Sequence, residues 1–348
     1  MSRAKICFFN LSLIIAVVSC SQPQSIQQKV KDQKAIIDII VKEFNDSYVF
    51  PEVARKMGEH LYTQLENEAY TGLESKEFAS QLTEDMRSIA HDKHIRINHI
   101  ERDASKKPIN SLRDMHKRFK NYGFEESKIL DGNIGYIDLR LFFPINTESK
   151  AKVVVQEIMS EMAKADALIF DIRKCVGGSP EMISLLVSYL YPEDTILHLN
   201  NFFYRPTNST YKSYTLKEID GNRFPEMPVY ILTGAKTFSA AEEFCYDLKN
   251  LKRATLVGAT TGGGAHTVEP RKINDDFEMS LPTGRAINPI TNTNWEGVGV
   301  TPHLEVSEEQ ALTKAYVLAL ETLAYSNGNA EQKALYEALI QKLNIESN

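Results

Sequence analysis

Two stretches do most to restrict the fold: ADALIFDIRKCVGGSPEMISLLVSYL (165–190) and PVYILTGAKTFSAAEEFCYDLKNL (228–251). Each starts as an unbroken apolar run, passes through a glycine-bearing or polar loop, and continues with apolar residues at helical spacing. Such strand–loop–helix units predict an α/β fold. Further candidate strands are 134–140, 255–258 and 277–281. Ser179 stands as an N-cap before Pro180, which suits the first helical position.

Upstream the pattern is purely helical. Ile36, Ile40 and Phe44, then Val53, Met57, Leu61 and Leu65 behind Pro51, then Phe78, Leu82, Met86 and Ile89 behind Ser75, predict a three-helix bundle over 31–92. The α/β core is then expected over 93–325. The Ser307-x-x-Gln310 capping box opens a C-terminal helix, and 326–348 carries another. The 32 residues of 100–131 are fewer than the roughly 50 an inserted domain needs, so no separate peptide-binding module is expected there.

The first nineteen residues are of another kind. Arg3 and Lys5 precede an apolar run from Ile6 to Val18, too short to span a bilayer and shaped like a bacterial export signal. Cys20 follows as in a lipoprotein signal, with 20–30 as a lipidated tether, although an ordinary signal peptide with an incidental cysteine has the same outline. Cleavage there takes the net charge from −6 to −8. The product would face the periplasm or cell surface. With no dense Lys/Arg cluster, nucleic-acid binding is excluded. Cys175 and Cys245 remain in the folded part, either paired or as small buried residues.

Ser239 has two readings. Ser239-x-x-Glu242 is a capping box, worth about 1 kcal/mol to the helix. The same position also suits a nucleophile, because a helix N-terminus presents N–H groups to a developing anion, here that of Ala240. Gly177-Gly178 either makes a simple turn or supplies a second oxyanion donor. A serine nucleophile needs a base. HDKHIRINH (91–99) offers three histidines, but period-two alternation sends His94 and His99 to opposite faces, so no zinc site is expected. VGATTGGGAHT (257–267) lacks the ending of a phosphate loop and predicts a tight turn. No cofactor is expected.

HDKHIRI, GYIDLR, DIRKCVGGSP, TFSAAEEFCYDLKNLKRATLVGATTGGGA and LPTGRAINPITNTNWEGVGVTP occur in that order between about residues 89 and 306. Together they resemble the C-terminal processing peptidases, in particular the branch of tricorn protease and interphotoreceptor retinoid-binding protein. That resemblance implies a crotonase-like ββα core. The processing branch carries a Ser–Lys dyad with the lysine 25 residues after the serine, where this chain has Gly264. The tricorn-like branch uses a histidine base and a glutamate, and these motifs map onto His94 and Glu296. The resemblance therefore implies Ser239, His94 and Glu296 as a catalytic set acting on a peptide or protein, with Ala240 and Gly178 or Gly177 as the oxyanion hole. Lys93 replaces the branch's bridging serine, Cys175 its usual asparagine and His303 its commoner aspartate. The retinoid-binding relatives imply the alternative, a non-catalytic protein holding a peptide or hydrophobic ligand in the same cleft. An acyl-CoA enzyme shares the fold class but not an exported location.

Overall fold

The computed structural model describes residues 26–100, 112–146, 148–326 and 329–346. The expected export signal and Cys20 lie outside the described residues. Among the described residues no helix is long and apolar enough to cross a membrane.

Helices α1 (Ile26–Ser47), α2 (Pro51–Glu66) and α3 (Ser75–Ala90) come first. Pro51 occupies the start of α2, where its missing N–H costs nothing. Strand β1 (Arg96–His99) and helix α4 (Leu112–Arg118) lead to β2 (Phe124–Leu130), β3 (Ile134–Leu139), α5 (Ser149–Met162), β4 (Ala167–Asp171) and α6 (Pro180–Ser188). A hairpin follows, β5 (His198–Tyr204) and β6 (Ser209–Tyr214), and then β7 (Val229–Thr233), α7 (Ala240–Asn250) and β8 (Thr255–Gly258). The chain closes with β9 (His266–Lys272), β10 (Phe277–Ile287), β11 (Leu304–Glu305), α8 (Glu308–Ser326) and α9 (Ala330–Glu346).

These strands form two sheets. In the order β11-β8-β7-β4-β3-β2, every pair is parallel except β2 with β3. Residues of β4 and β7 are buried along their whole length because helices cover both faces, which is why these strands read as continuous apolar runs. Leu168, Phe170 and Ile231 enter one core with α5, α6 and α7. Ile169, Tyr230 and Leu232 enter a second with α8 and α9. The other sheet, β1-β10-β5-β6 with β9 also on β10, is antiparallel. Its inner face, through Ile97, Phe277, Met279 and Leu281, packs on Ile37, Phe44, Met57, Phe78 and Leu82 of the three helices.

The architecture is α/β, as expected. Cys175 and Cys245 are free and buried, so they do not pair. Ser179 sits at the N-cap of α6, but its hydroxyl donates to the Glu181 carboxylate instead of capping.

Candidate active site

The loops leaving the carboxyl ends of β4 and β7 meet, and that junction is where open α/β sheets place ligands. Phe238 N–H donates to the Cys175 carbonyl at 3.1 Å, which brings the two loops into contact. Gly177 (φ 103°) has no room for a side chain, since a Cβ there would stand 2.8 Å from the Ser239 Cβ. Its N–H turns to the Cys175 sulfur. Gly177 is buried while Gly178 is exposed. Gly178 N–H and Ala240 N–H, the latter at the first position of α7, carry no hydrogen bond among the described residues. They are therefore the two donors free to receive an anion.

Ser239 adopts φ 58°, ψ −124°. An N-cap ordinarily lies in the extended region, and holding a residue with a Cβ in such a place costs about 1–3 kcal/mol. Glu242 and Glu243 N–H donate to the Ser239 carbonyl at 2.8 and 3.0 Å, and Ser239 N–H donates to Glu242 Oε2 at 2.9 Å. The turn is thus pinned from both sides. Glu242 is completely buried and reaches across to the glycine-rich loop, accepting from Gly264 N–H (2.8 Å), Gly263 N–H (2.6 Å) and the Thr261 hydroxyl (2.5 Å). Burial raises its pKa while these donors oppose the rise.

His94 and Glu296 are brought to this region but not to each other. The His94 ring lies against Phe238, centroids 4.6 Å apart, and neither ring nitrogen has a hydrogen bond. No His94–Ser239 hydrogen bond is formed in this conformation. The carboxylate nearest His94 is that of Asp92, Oδ1 to Nδ1 3.7 Å. Its other oxygen meets His266 Nδ1 at 2.7 Å and accepts from Tyr48 OH at 3.2 Å. Asp92 thus bridges two imidazoles. Burial would raise its pKa, but the hydrogen bond of His266 and the proximity of the His94 ring outweigh that and hold the carboxyl well below the usual range. Burial lowers the His266 pKa, yet the Asp92 contact raises it above 6.5 on balance. Glu296 accepts from Ala265 N–H at 2.5 Å and lies 3.7 Å from His266 Nδ1, while its Oε1 has no partner and burial raises its pKa.

Gly264, where the dyad lysine would stand, closes against both rings. A Cβ there would overlap the Phe238 ring and come to 2.7 Å from His94 Cε1. No side chain fits, so a Ser–Lys dyad is sterically excluded in this arrangement. Lys93 donates to the Gly262 carbonyl at 2.6 Å, in the glycine-rich loop. His303 is structural, its Nδ1 accepting from Leu256 N–H at 3.0 Å. Arg173 forms a forked ion pair with Asp171, 2.6 and 2.9 Å.

Ser239, Ala240, Gly178, Gly264 and His266 line one cavity of about 240 Å³ with Phe202, Tyr204, Trp295 and Glu243. Donor atoms of Asp92, His266 and Glu296 lie within 4.8 Å of one another and could hold a cation. They are already engaged in hydrogen bonds, so a cation there would have to displace a proton.

Asp92, His266 and Glu243 carried no sequence signal of a role, and Glu242 stood out only as the capping-box partner of Ser239. Asp92 and His266 are 174 positions apart, and no periodicity links them. The available signal was two adjacent acids just after the capping serine, at the start of a helix whose inner stripe begins with Phe244.

The model of peptidase family S41 matches residues 133–306, half of the chain. The chain belongs to peptidase family S41. A second model, the N-terminal domain of S41 peptidases in eukaryotic IRBP, matches residues 21–122 of this S41 chain. The carboxy-terminal-processing protease of Bartonella bacilliformis is 25% identical over 194 residues, covering 54% of this chain and 41% of that protein. The S41 chain thus spans well under half the length of that relative. Among solved structures, a candidate peptidase from Parabacteroides merdae superposes with TM-score 0.59 at 16% identity, over 83% of this chain and 96% of its own. A lipoprotein from Streptococcus agalactiae gives 0.56 at 18%, over 90% and 100%. Tricorn protease gives 0.52 at 14%, over 90% of this chain and 37% of its own. At these identities the likeness is one of fold.

Proposed function

We propose that this S41 chain is a serine peptidase in which Ser239 attacks the carbonyl of a peptide bond. The observation that carries the reading is the strained Ser239 turn, held beside two unengaged N–H groups in the wall of a cavity. Ala240 N–H and Gly178 N–H would receive the oxyanion, each such donor contributing about 3 kcal/mol to the transition state. His94 accepts the Ser239 proton in this reading. Its ring nitrogens carry no competing hydrogen bond, and catalytic hydrogen bonds commonly tighten only when substrate arrives. Asp92 backs His94 from the Nδ1 side, and Glu296 adds negative charge to the same cluster.

A second reading exchanges the histidines. His266 lines the cavity with Ser239, and its Nδ1 is held by Asp92 at 2.7 Å, which is how a base is oriented in a serine–histidine–carboxylate triad. Fluorophosphonate labelling and hydrolysis of a casein-derived peptide library test both. Ser239→Ala should abolish labelling and turnover. His94→Ala should lower them by about 10²–10⁴-fold while His266→Ala costs less; the reverse order assigns the base to His266. Wild-type protein inert to probe and peptide would overturn the peptidase reading and leave a ligand-binding one.

The export signal and a diacylated Cys20 at the cell envelope belong to the same proposal. Palmitate labelling that is lost in Cys20→Ala tests it, and retained labelling would refute it.

A further inference from the structure

The cavity beside Ser239 ends on an acid. Glu243 lines it yet is only 2% exposed, and its Oε1 has no hydrogen-bond partner. One turn further along α7, Asp247 is fully buried; one oxygen accepts from Asn288 at 3.0 Å and the other has no partner. No Lys or Arg pairs with either among the described residues, and the charged groups that act on them, Glu181 and each other, are acids. Asn200 Nδ2, beside Glu243, is also buried and unpaired. Two carboxyls buried together without a cation are costly, and partly satisfied buried polar groups are rare in folded proteins unless a ligand completes them.

The approach to this acid is apolar: Pro180, Phe202, Tyr204, Ala286 and Trp295 form the walls. Ser239 and Glu243 are four residues apart at the start of one helix, about 6 Å along its axis at 1.5 Å per residue. A long side chain on the residue that presents its carbonyl to Ser239 would run down these walls and bring its tip to Glu243. Apolar walls suit a methylene stem, and the carboxyl, giving up its proton to solvent as the ligand binds, suits a cationic head.

We infer that Glu243 is a specificity-determining residue that selects a lysine or arginine side chain immediately before the scissile bond. The inference rests on the peptidase reading for the word scissile, but not for the presence of a site for an organic cation. Asp247 stands behind Glu243 as the second acid, and Asn200 as a neighbouring amide with an unused donor.

Two measurements test it. In internally quenched peptides differing only at that residue, wild-type kcat/KM for Arg or Lys should exceed that for Leu or Gln by about tenfold or more, since a site built to pair a charged group rejects analogues lacking it. In Glu243→Gln that ratio should fall toward unity. Separately, agmatine and n-butylamine, with n-butanol as the neutral control, are titrated calorimetrically into Ser239→Ala protein. The amines should bind, the alcohol should not, and adding Glu243→Gln should remove the amine signal. The wild-type peptide series and the amine titration require no change at Glu243, so a misfolded variant cannot hide the answer. A wild-type preference for Leu or Ala, or no amine binding, overturns the inference while leaving a peptidase. Amine binding by a protein that cleaves nothing upholds the cation site and overturns the peptidase reading.

Discussion

Replacing Glu242 by Gln should damage both stability and the catalytic turn, by an amount that can be worked from its contacts. The carboxylate is completely buried and accepts four hydrogen bonds, two at each oxygen: Ser239 and Gly264 N–H on Oε2, Gly263 N–H and Thr261 Oγ1 on Oε1. A glutamine amide has one accepting oxygen, so its NH₂ must face one of these pairs. Facing Ser239 and Gly264 it leaves two N–H groups orphaned. Facing Gly263 and Thr261 it leaves one, because the threonine oxygen can turn to accept. The second orientation is favoured, and an orphaned buried N–H costs about 1–3 kcal/mol, with bonds to a charged acceptor worth about 1.5–3 kcal/mol each. Relief from burying a charge offsets part of this. A net loss of about 2–4 kcal/mol is expected. Urea unfolding at neutral pH, followed by fluorescence of the only tryptophan, measures it directly, since Trp295 is buried and donates to the Gly264 carbonyl at 2.7 Å. Fluorophosphonate labelling should slow in parallel, because the same residue ties the Ser239 turn to the loop that seats His94. A Glu242→Gln midpoint corresponding to less than about 0.5 kcal/mol, the range of ordinary surface changes, would refute the reasoning.

Introducing the processing branch's lysine with Gly264→Lys should not create a dyad: it should destabilise by about 1–3 kcal/mol or more through overpacking against Phe238 and His94 and lower labelling, and increased turnover would contradict the steric account. The fold's pH dependence should also report on the buried acids. Burial pushes Glu243 up to about 8 from 4.5, with Glu181 adding repulsion, so the folded chain keeps a proton that the unfolded chain has released. Stability contributed by this group is therefore lost as pH rises from about 4.5 to 8, with a slope of at most about 1.4 kcal/mol per pH unit. Asp247, raised by burial and by Glu243, acts in the same direction. Glu243→Gln should flatten the urea-midpoint profile across that window, and an unchanged slope would contradict the assignment.

The parallel strands and the helices they feed were legible because burial on both faces demands unbroken apolar runs, as in ALIFD and VYILT. Strands β6 and β9 were not. STYKSY exposes five of its six residues, and HTVEPRK alternates half-buried and exposed positions with polar or charged residues at the half-buried ones, so neither carries an apolar signal. At the site, Ser239 could be singled out because a strand–turn–helix junction is a local feature. The arrangement of acids and imidazoles was not accessible in the same way. Asp92, adjacent in sequence to the expected base, meets His266 only through the pairing of β9 on β10 and of β10 on β1. The family resemblance pointed to Glu296 as the partner of His94, whereas the carboxylate lying between the two rings belongs to Asp92. Glu243 was invisible for a different reason. An acid early in a helix is expected on the surface, and only the packing of β5 and α6 over α7 encloses it.

The candidate machinery straddles two separate hydrophobic cores. Ser239 and its anion-receiving amides grow out of the core shared by α5, α6 and α7, whereas His94 precedes a strand whose inner side chains belong to the three-helix bundle. Loosening the bundle would carry the imidazole away from an otherwise undisturbed alcohol. A molecule in which only the bundle is loosened would lose function while its α/β half stays folded, so the nucleophile depends on a core to which it does not belong.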